Sequence, residues 1–169
     1  MGLTTPAQRR HLALLMRHLA GHASLLDYPV GDVRGPLDRE TFALTEEAMR
    51  RRLAQGHRLM FDCSQAVTQL CRWAGLADPN GLGYGYAGYT GTMLHHLRHY
   101  WNPKSAGVGA LVVYGPGTGE HVSMVLEPGA DPLLWSHGHR GLDLVRLSVQ
   151  RAYHHAPVTF CSIAELGSP

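Results

Sequence analysis

The apolar positions of this chain change their period near its middle. Leu12, Leu15, Met16 and Leu19 recur at helical spacing behind the capping pair Thr5-Pro6 and stop at Gly21, which predicts a first helix. A second is expected from Asp38, with Phe42, Met49 and Leu53 on one face, Glu46 and Glu47 four residues ahead of Arg50 and Arg51, and Gly56 at its end. A third opens at Cys63 behind Asp62 and carries Val67, Leu70, Cys71 and Ala74 on one stripe before Gly75. From Val108 the pattern is that of strands: 110–114, 121–126, 133–137, 143–149 and 158–163, separated by turns rich in Gly and Pro. Helices followed by antiparallel strands predict an α+β domain in which the Cys63 helix packs on one sheet face.

Two connections need separate treatment. Residues 27–36 hold two prolines and two glycines and predict an irregular loop. Residues 78–92 are dense in Gly and carry Tyr84, Tyr86 and Tyr89, and two readings stay open: a groove lining for an extended polymer, or a structural loop. Thr90 or Thr92 then caps a short helix through Tyr100.

A length of 169 residues fits one domain, divided into a helical part (1–57), the Cys63 helix with its Gly/Tyr loop and short helix (58–106), and the sheet (107–169). A formal net charge of +2 does not mark a nucleic-acid binder. Twelve histidines make the charge climb as pH falls through about 6.5, which is compatible with weak attraction to an anionic polymer such as a cell wall. No apolar run approaches the roughly 20 residues of a membrane span and no leader pattern precedes the first helix, so the expectation is a soluble cytoplasmic product with no membrane partner, exported only with another protein's help.

The cysteines, at 63, 71 and 161, have no CxxC spacing and suggest neither a disulfide framework nor a zinc site. Cys63 and Cys71 are too far apart along one helix to bridge, whereas Cys71 with Cys161 stays open. The clusters His95, His96, His99 and His154, His155 lack an HExxH motif or a nearby carboxylate, so surface roles are expected and no metal or other cofactor is called for.

Cys63 is the candidate nucleophile, because the unpaired N–H groups at a helix start favour a thiolate and lower a cysteine pKa from about 8.5. It needs a base, and His121, opening a strand after a tight turn and sharing a face with Ser123 and Val125, is the choice. The group that orients this base should come from the next strand, where His137 and His139 point to the same side. Spacing does not separate them; His137 is preferred because Gly138 begins the turn.

Asp62-Cys63-Ser64, then Gly119-Glu120-His121-Val122, then Ser136-His137-Gly138, resembles the NlpC-type peptidases, papain-like cysteine enzymes of bacterial cell-wall turnover. Residues 77–84, Ala-Asp-Pro-Asn-Gly-Leu-Gly-Tyr, and Thr90-Gly91-Thr92 are similar to phage-encoded members, and the likeness covers roughly 58–148. The resemblance implies a papain-like fold, with the nucleophile helix on a five- to six-stranded antiparallel sheet. Cys63 would be the nucleophile, His121 the base and then acid, His137 the orienting member, and the Cys63 N–H part of the oxyanion hole.

The implied activity is hydrolysis of amide bonds in peptidoglycan stem peptides, most often between D-glutamate and a diamino acid, in phage lysis or in a virion. Delivery to the wall would be by a virion or with a holin. Asp62, Ser64, Tyr84, Tyr86, Tyr89 and Tyr28 are the candidates for substrate contact. Two departures stand out: Gln65 replaces the family's glycine, and Arg50 to Met60 lacks the usual tyrosine, for which Tyr28 is the candidate replacement. The alternatives are an N-acetylmuramoyl-L-alanine amidase or acyl transferase using the same cysteine, and a non-catalytic wall-binding or virion structural module.

Overall fold

A computed structural model describes residues 3–29, 41, 43–85, 88–100 and 102–167. Among these the chain forms α1 (Pro6–Ala20), β1 (Leu26–Asp27), α2 (Glu46–Ala54), β2 (Leu59–Met60), α3 (Cys63–Trp73), α4 (Thr90–His96), β3 (Arg98–Tyr100), β4 (Leu111–Tyr114), β5 (His121–Glu127), β6 (Leu133–Gly138), β7 (Gly141–Arg146), α5 (Leu147–His154) and β8 (Val158–Ser162). The domain is α+β. Its main sheet has six strands in the order β3-β8-β4-β5-β6-β7, every neighbouring pair antiparallel.

The sheet is covered on both faces. On one, Leu12, Leu15 and Met16 of α1 and Val67, Leu70 and Cys71 of α3 pack with Leu111, Val113, Val122, Met124 and Trp135. On the other, Leu147 of α5 packs with Val112, Tyr114, Val125, Leu134 and Phe160. Alternation along each strand sends successive side chains into one cluster or the other, so a strand buried on both faces reads as an unbroken apolar run.

Several expected boundaries move. Thr45, whose hydroxyl accepts from Ala48 N, caps α2, whereas the expected start at Asp38 lies outside the described residues. The short helix ends at His96, and Arg98–Tyr100 is an edge strand paired with β8. The fourth expected strand, 143–149, stops at Arg146 and gives way to α5. Asp131, from the turn before β6, supplies the start of that helix: its carboxylate accepts from Ser148 N at 2.9 Å and Ser148 Oγ at 2.7 Å. A helix capped from so far away in sequence carries no local start signal. Asp27, the first residue of the loop expected over 27–36, belongs instead with Leu26 to β1, which pairs in parallel with β2 through Leu26↔Leu59 and Asp27↔Met60. Cys71 and Cys161 are free buried thiols, so the pairing left open by sequence is not made.

The Gly/Tyr loop is tied down by polar side chains. Asp78 accepts from the backbone of Asn80, Leu82 and Tyr84. Asn80, which is buried, donates through Nδ2 to Thr68 Oγ1 of α3 at 2.9 Å and accepts from Thr92 Oγ1 of α4 at 2.6 Å. A Cβ at Gly88, with φ +64°, would collide with the Asn80 amide, so the chain passes there only as glycine. Replacing Asn80 by Ala removes one hydrogen bond from buried Thr68 and one from half-buried Thr92, each of which keeps a backbone partner, and is expected to lower the unfolding free energy by about 1–2 kcal/mol in a urea titration. A loss under about 0.5 kcal/mol would mean that water satisfies these groups as well as the amide does.

Candidate active site

Cys63 is the first residue of α3, and its surroundings follow from the local sequence. Asp62 Oδ1 accepts from Gln65 N at 2.8 Å while Gln65 Oε1 accepts from Asp62 N at 2.9 Å, a reciprocal cap that fixes the helix start. Gln65, which stands where the resemblance implies a glycine, is therefore buried in the cap. Ser64 Oγ donates to Asp62 Oδ1 at 2.7 Å, so two of the expected substrate contacts are engaged with each other.

Tyr28 arrives from the other side. The β1–β2 pair sets Asp27 opposite Met60, Phe61 N donates to Asp27 O at 3.2 Å, and Arg58 clamps the Asp27 carboxylate, with Nε at 2.6 Å from Oδ2. That ion pair holds the Asp27 carboxyl below its usual range. The next residue, Tyr28, then points its hydroxyl at Cys63 Sγ, 3.8 Å away. A tyrosine thus reaches the thiol from a segment well upstream of Arg50 to Met60. The thiol also lies within reach of the Val122 and Ser64 backbone N–H groups.

The expected lowering of the thiol pKa is not what this setting gives. Cys63 is only 7% exposed, and burial, followed by the Asp62 carboxylate, pushes the thiol up despite the hydrogen bonds from Val122, Tyr28 and Ser64. Desolvation of the charged form outweighs the helix terminus, so the resting state is a neutral thiol.

His121 follows Glu120 at the start of β5 and projects on the face opposite the α3 packing. Gly119, with φ +79°, makes the turn, where a Cβ would strike Val113 and Thr90. His121 Nε2 lies 2.9 Å from Ser136 Oγ, 3.3 Å from Ser123 Oγ and 3.4 Å from Gln150 Nε2. The ring stacks on His154 with centroids 4.9 Å apart, and His154 stacks in turn on Tyr114 at 4.6 Å. Burial first, then the neighbouring His154, His137 and His139, push His121 from its ordinary 6.5 down to about 3. The imidazole is neutral at pH 7.

The structure records no hydrogen bond between Cys63 and His121, nor between His121 and His137. Ser136 takes the contact with His121 Nε2 that the resemblance gives to His137. The reason is register: Ser123↔Ser136 pairing puts Ser136 on the His121 face and turns the following residue, His137, to the other. There His137 is fully buried, with Nε2 2.9 Å from Phe61 O and 3.2 Å from Asp27 O, and it packs beside Phe61 and Tyr28. It thus pins the two chain segments that carry Cys63 and Tyr28, and burial holds its pKa down. His139 is exposed, its ring 4.5 Å from that of Tyr28.

Of the loop tyrosines, Tyr84 donates its hydroxyl to Leu76 O at 2.8 Å and is part of the scaffold, Tyr89 is 44% exposed, and Tyr86 lies outside the described residues. An open cleft of about 310 Å³ adjoins His121, with Tyr28, Val149 and Tyr153 among its walls and Glu120, His139, Arg140 and Asp143 bringing charge or polarity. Sequence reasoning missed Ser136 and Gln150; alternation on β6 offered a signal for the first, and the unread helix α5 hid the second. Among the described residues no cluster of His, Cys, Asp and Glu has the arrangement of a metal site, and no helix is long and apolar enough to cross a membrane. Comparison with family models, curated proteins and solved structures gives no significant match.

The buried histidine makes a prediction about stability. Its folded-state pKa is depressed, so the unfolded chain binds more protons between pH 6.5 and about 3. The stability gained from keeping His121 neutral is whole above pH 6.5 and drains away as pH falls through that window. The melting temperature of the wild type should therefore fall on acidification, and His121→Gln should flatten the slope; equal slopes would place the burden on other groups, His137 foremost.

Proposed function

We propose that the chain is a papain-like cysteine endopeptidase that hydrolyses amide bonds in peptidoglycan stem peptides, the D-glutamyl to diamino acid bond being the favoured target, in phage lysis or virion entry. The observation that carries the reading is a thiol at a helix start, with the Tyr28 hydroxyl 3.8 Å away and the Val122 N–H in reach, one residue from a histidine whose Nε2 is already engaged. That leaves His121 Nδ1 as the nitrogen for proton transfer, and because the ring projects from the sheet face opposite α3, the reading requires Nδ1 to come round the start of β5 to the thiol when substrate binds. Catalytic hydrogen bonds are often long before substrate binds and tighten in the complex.

In this mechanism the thiol proton passes to His121 Nδ1 as Sγ attacks the amide carbon. The oxyanion is met by the Cys63 backbone N–H, with the Tyr28 hydroxyl beside it. The imidazolium then protonates the leaving nitrogen as the C–N bond breaks, and water, deprotonated by His121, hydrolyses the thioester. Because both partners start neutral, proton transfer accompanies attack and does not precede it. The cleft beside His121 offers apolar walls to the peptide and Arg140, Glu120 and Asp143 to its charged groups.

Mass spectrometry of muropeptides from purified walls tests the reaction. New N-termini within stem peptides are expected, whereas release of intact stems would identify the amidase. A second reading, a non-catalytic wall-binding or virion module, is favoured by the burial of Cys63 and its raised pKa. It predicts wall binding with no bond cleaved.

A further inference from the structure

Gln150 is a buried amide on α5, beyond the stretch that resembles the peptidase family, and its hydrogen bonds converge on His121. Its Oε1 accepts from Tyr114 Oη at 2.9 Å and from Ser123 Oγ at 2.9 Å. Its Nε2 donates to Ser136 Oγ and sits 3.4 Å from His121 Nε2. Ser123 Oγ and Ser136 Oγ are themselves 3.1 Å apart. The amide and the hydroxyls of Tyr114, Ser123 and Ser136 thus enclose one edge of a ring whose other nitrogen is the one left for chemistry.

We propose that Gln150, acting through Ser136, is the positioning residue for His121, serving both its neutral and its protonated state. This rests on reading His121 as the base of the reaction. The chemistry of the groups explains why an amide suits the place. A hydroxyl donates or accepts as required, and an amide presents an acceptor at one end and donors at the other, in nearly the same shape.

Because Nδ1 is the nitrogen that takes the thiol proton, neutral His121 carries its hydrogen on Nε2 and donates it to Ser136 Oγ. Gln150 Nε2 donates to the same oxygen, and Gln150 Oε1 accepts from Tyr114 and Ser123. Protonation at Nδ1 leaves each of these bonds in place, so no buried donor is stranded in either state, and no fixed charge is placed against the ring. The titratable groups nearest His121 are His154 of α5, Tyr114 of β4 and His139 of the turn after β6, with Glu120 before it in sequence and His137 acting on it from the other face of the sheet. None supplies a carboxylate hydrogen bond to Nε2, so the amide network does the orienting.

The test uses the full chain labelled with 15N-histidine, in which the ring nitrogens of His121 report tautomer and protonation whether or not the protein is active. Gln150→Glu puts an anion where the amide stood and is expected to raise the His121 pKa by about 1–3 units. Gln150→Met keeps the bulk and removes the polar atoms; the single tautomer of the wild type should give way to a mixture, and kcat on wall peptides should fall about 10- to 100-fold with KM unchanged. Ser136→Ala removes one oxygen and breaks the same link, with the same two effects, and stands in if neither Gln150 variant folds. A wild-type tautomer and titration in the folded variants would overturn the proposal. A wild type that cleaves no wall amide, with the ring nitrogens responding as described, would instead overturn the assignment of function and leave the role of Gln150 in place.

Discussion

Cys63→Ala should abolish cleavage of purified walls, with a fall in kcat of about 10³-fold or more, while the protein still folds. The thiol is buried among Tyr28, Ser64 and Val122, and its removal takes away one sulfur without stranding a charge. The Tyr28 hydroxyl loses its recorded partner but is half-buried and turns to water at small cost. Circular dichroism and a thermal melt separate loss of chemistry from loss of structure. Retained cleavage with a native melt would exclude the cysteine from the reaction, since Cys71 and Cys161 are buried with raised pKa values and make no substitute.

His121→Gln is the second large effect. Loss of a general base costs about 10²- to 10⁴-fold, and under the proposed mechanism, in which the imidazole acts on the proton and the cleft holds the peptide, it should appear in kcat with KM unchanged. The pH dependence follows from burial. With His121 held down to about 3, its base form is complete throughout the neutral range, so the wild-type rate should show no acid limb between pH 5 and 7 from this group. An acid limb centred near 6.5 would mean that the site opens to water before catalysis. A His121→Gln enzyme with the wild-type rate would end the assignment of His121 as the base.

Much of the architecture follows from patterns on the chain. The stripes of α1 and α3, the caps at Thr5 and Asp62, and the change to strand periodicity at Val108 are local signals, and the helix-then-sheet order comes from them. What escaped is non-local. α5 starts under a cap lent by Asp131, and β1 is a two-residue strand recognisable only beside β2. The site divides the same way. The placement of Cys63 at a helix start and of His121 at a strand start after a tight turn follows from local pattern. Which neighbour meets His121 depends on a register of one residue: β6 turns Ser136 towards the ring and His137 towards Phe61 and Asp27. Side chains on alternate faces of one strand exchange roles with a single-residue slip, and no local pattern distinguishes the two outcomes. Tyr28 was the reverse case, a residue proposed to fill a gap that the fold does carry to the thiol.

The central claim is that Cys63 and His121 act as one unit when a peptide occupies the site, although no hydrogen bond joins them at rest. A stem-peptide mimic ending in a chloromethyl ketone tests it, read by intact-mass measurement and mapping of the labelled residue. The account predicts a single adduct on Cys63 at neutral pH, formed at least about 100-fold more slowly in His121→Gln. An unlabelled Cys63, or equal rates in the two proteins, would contradict it.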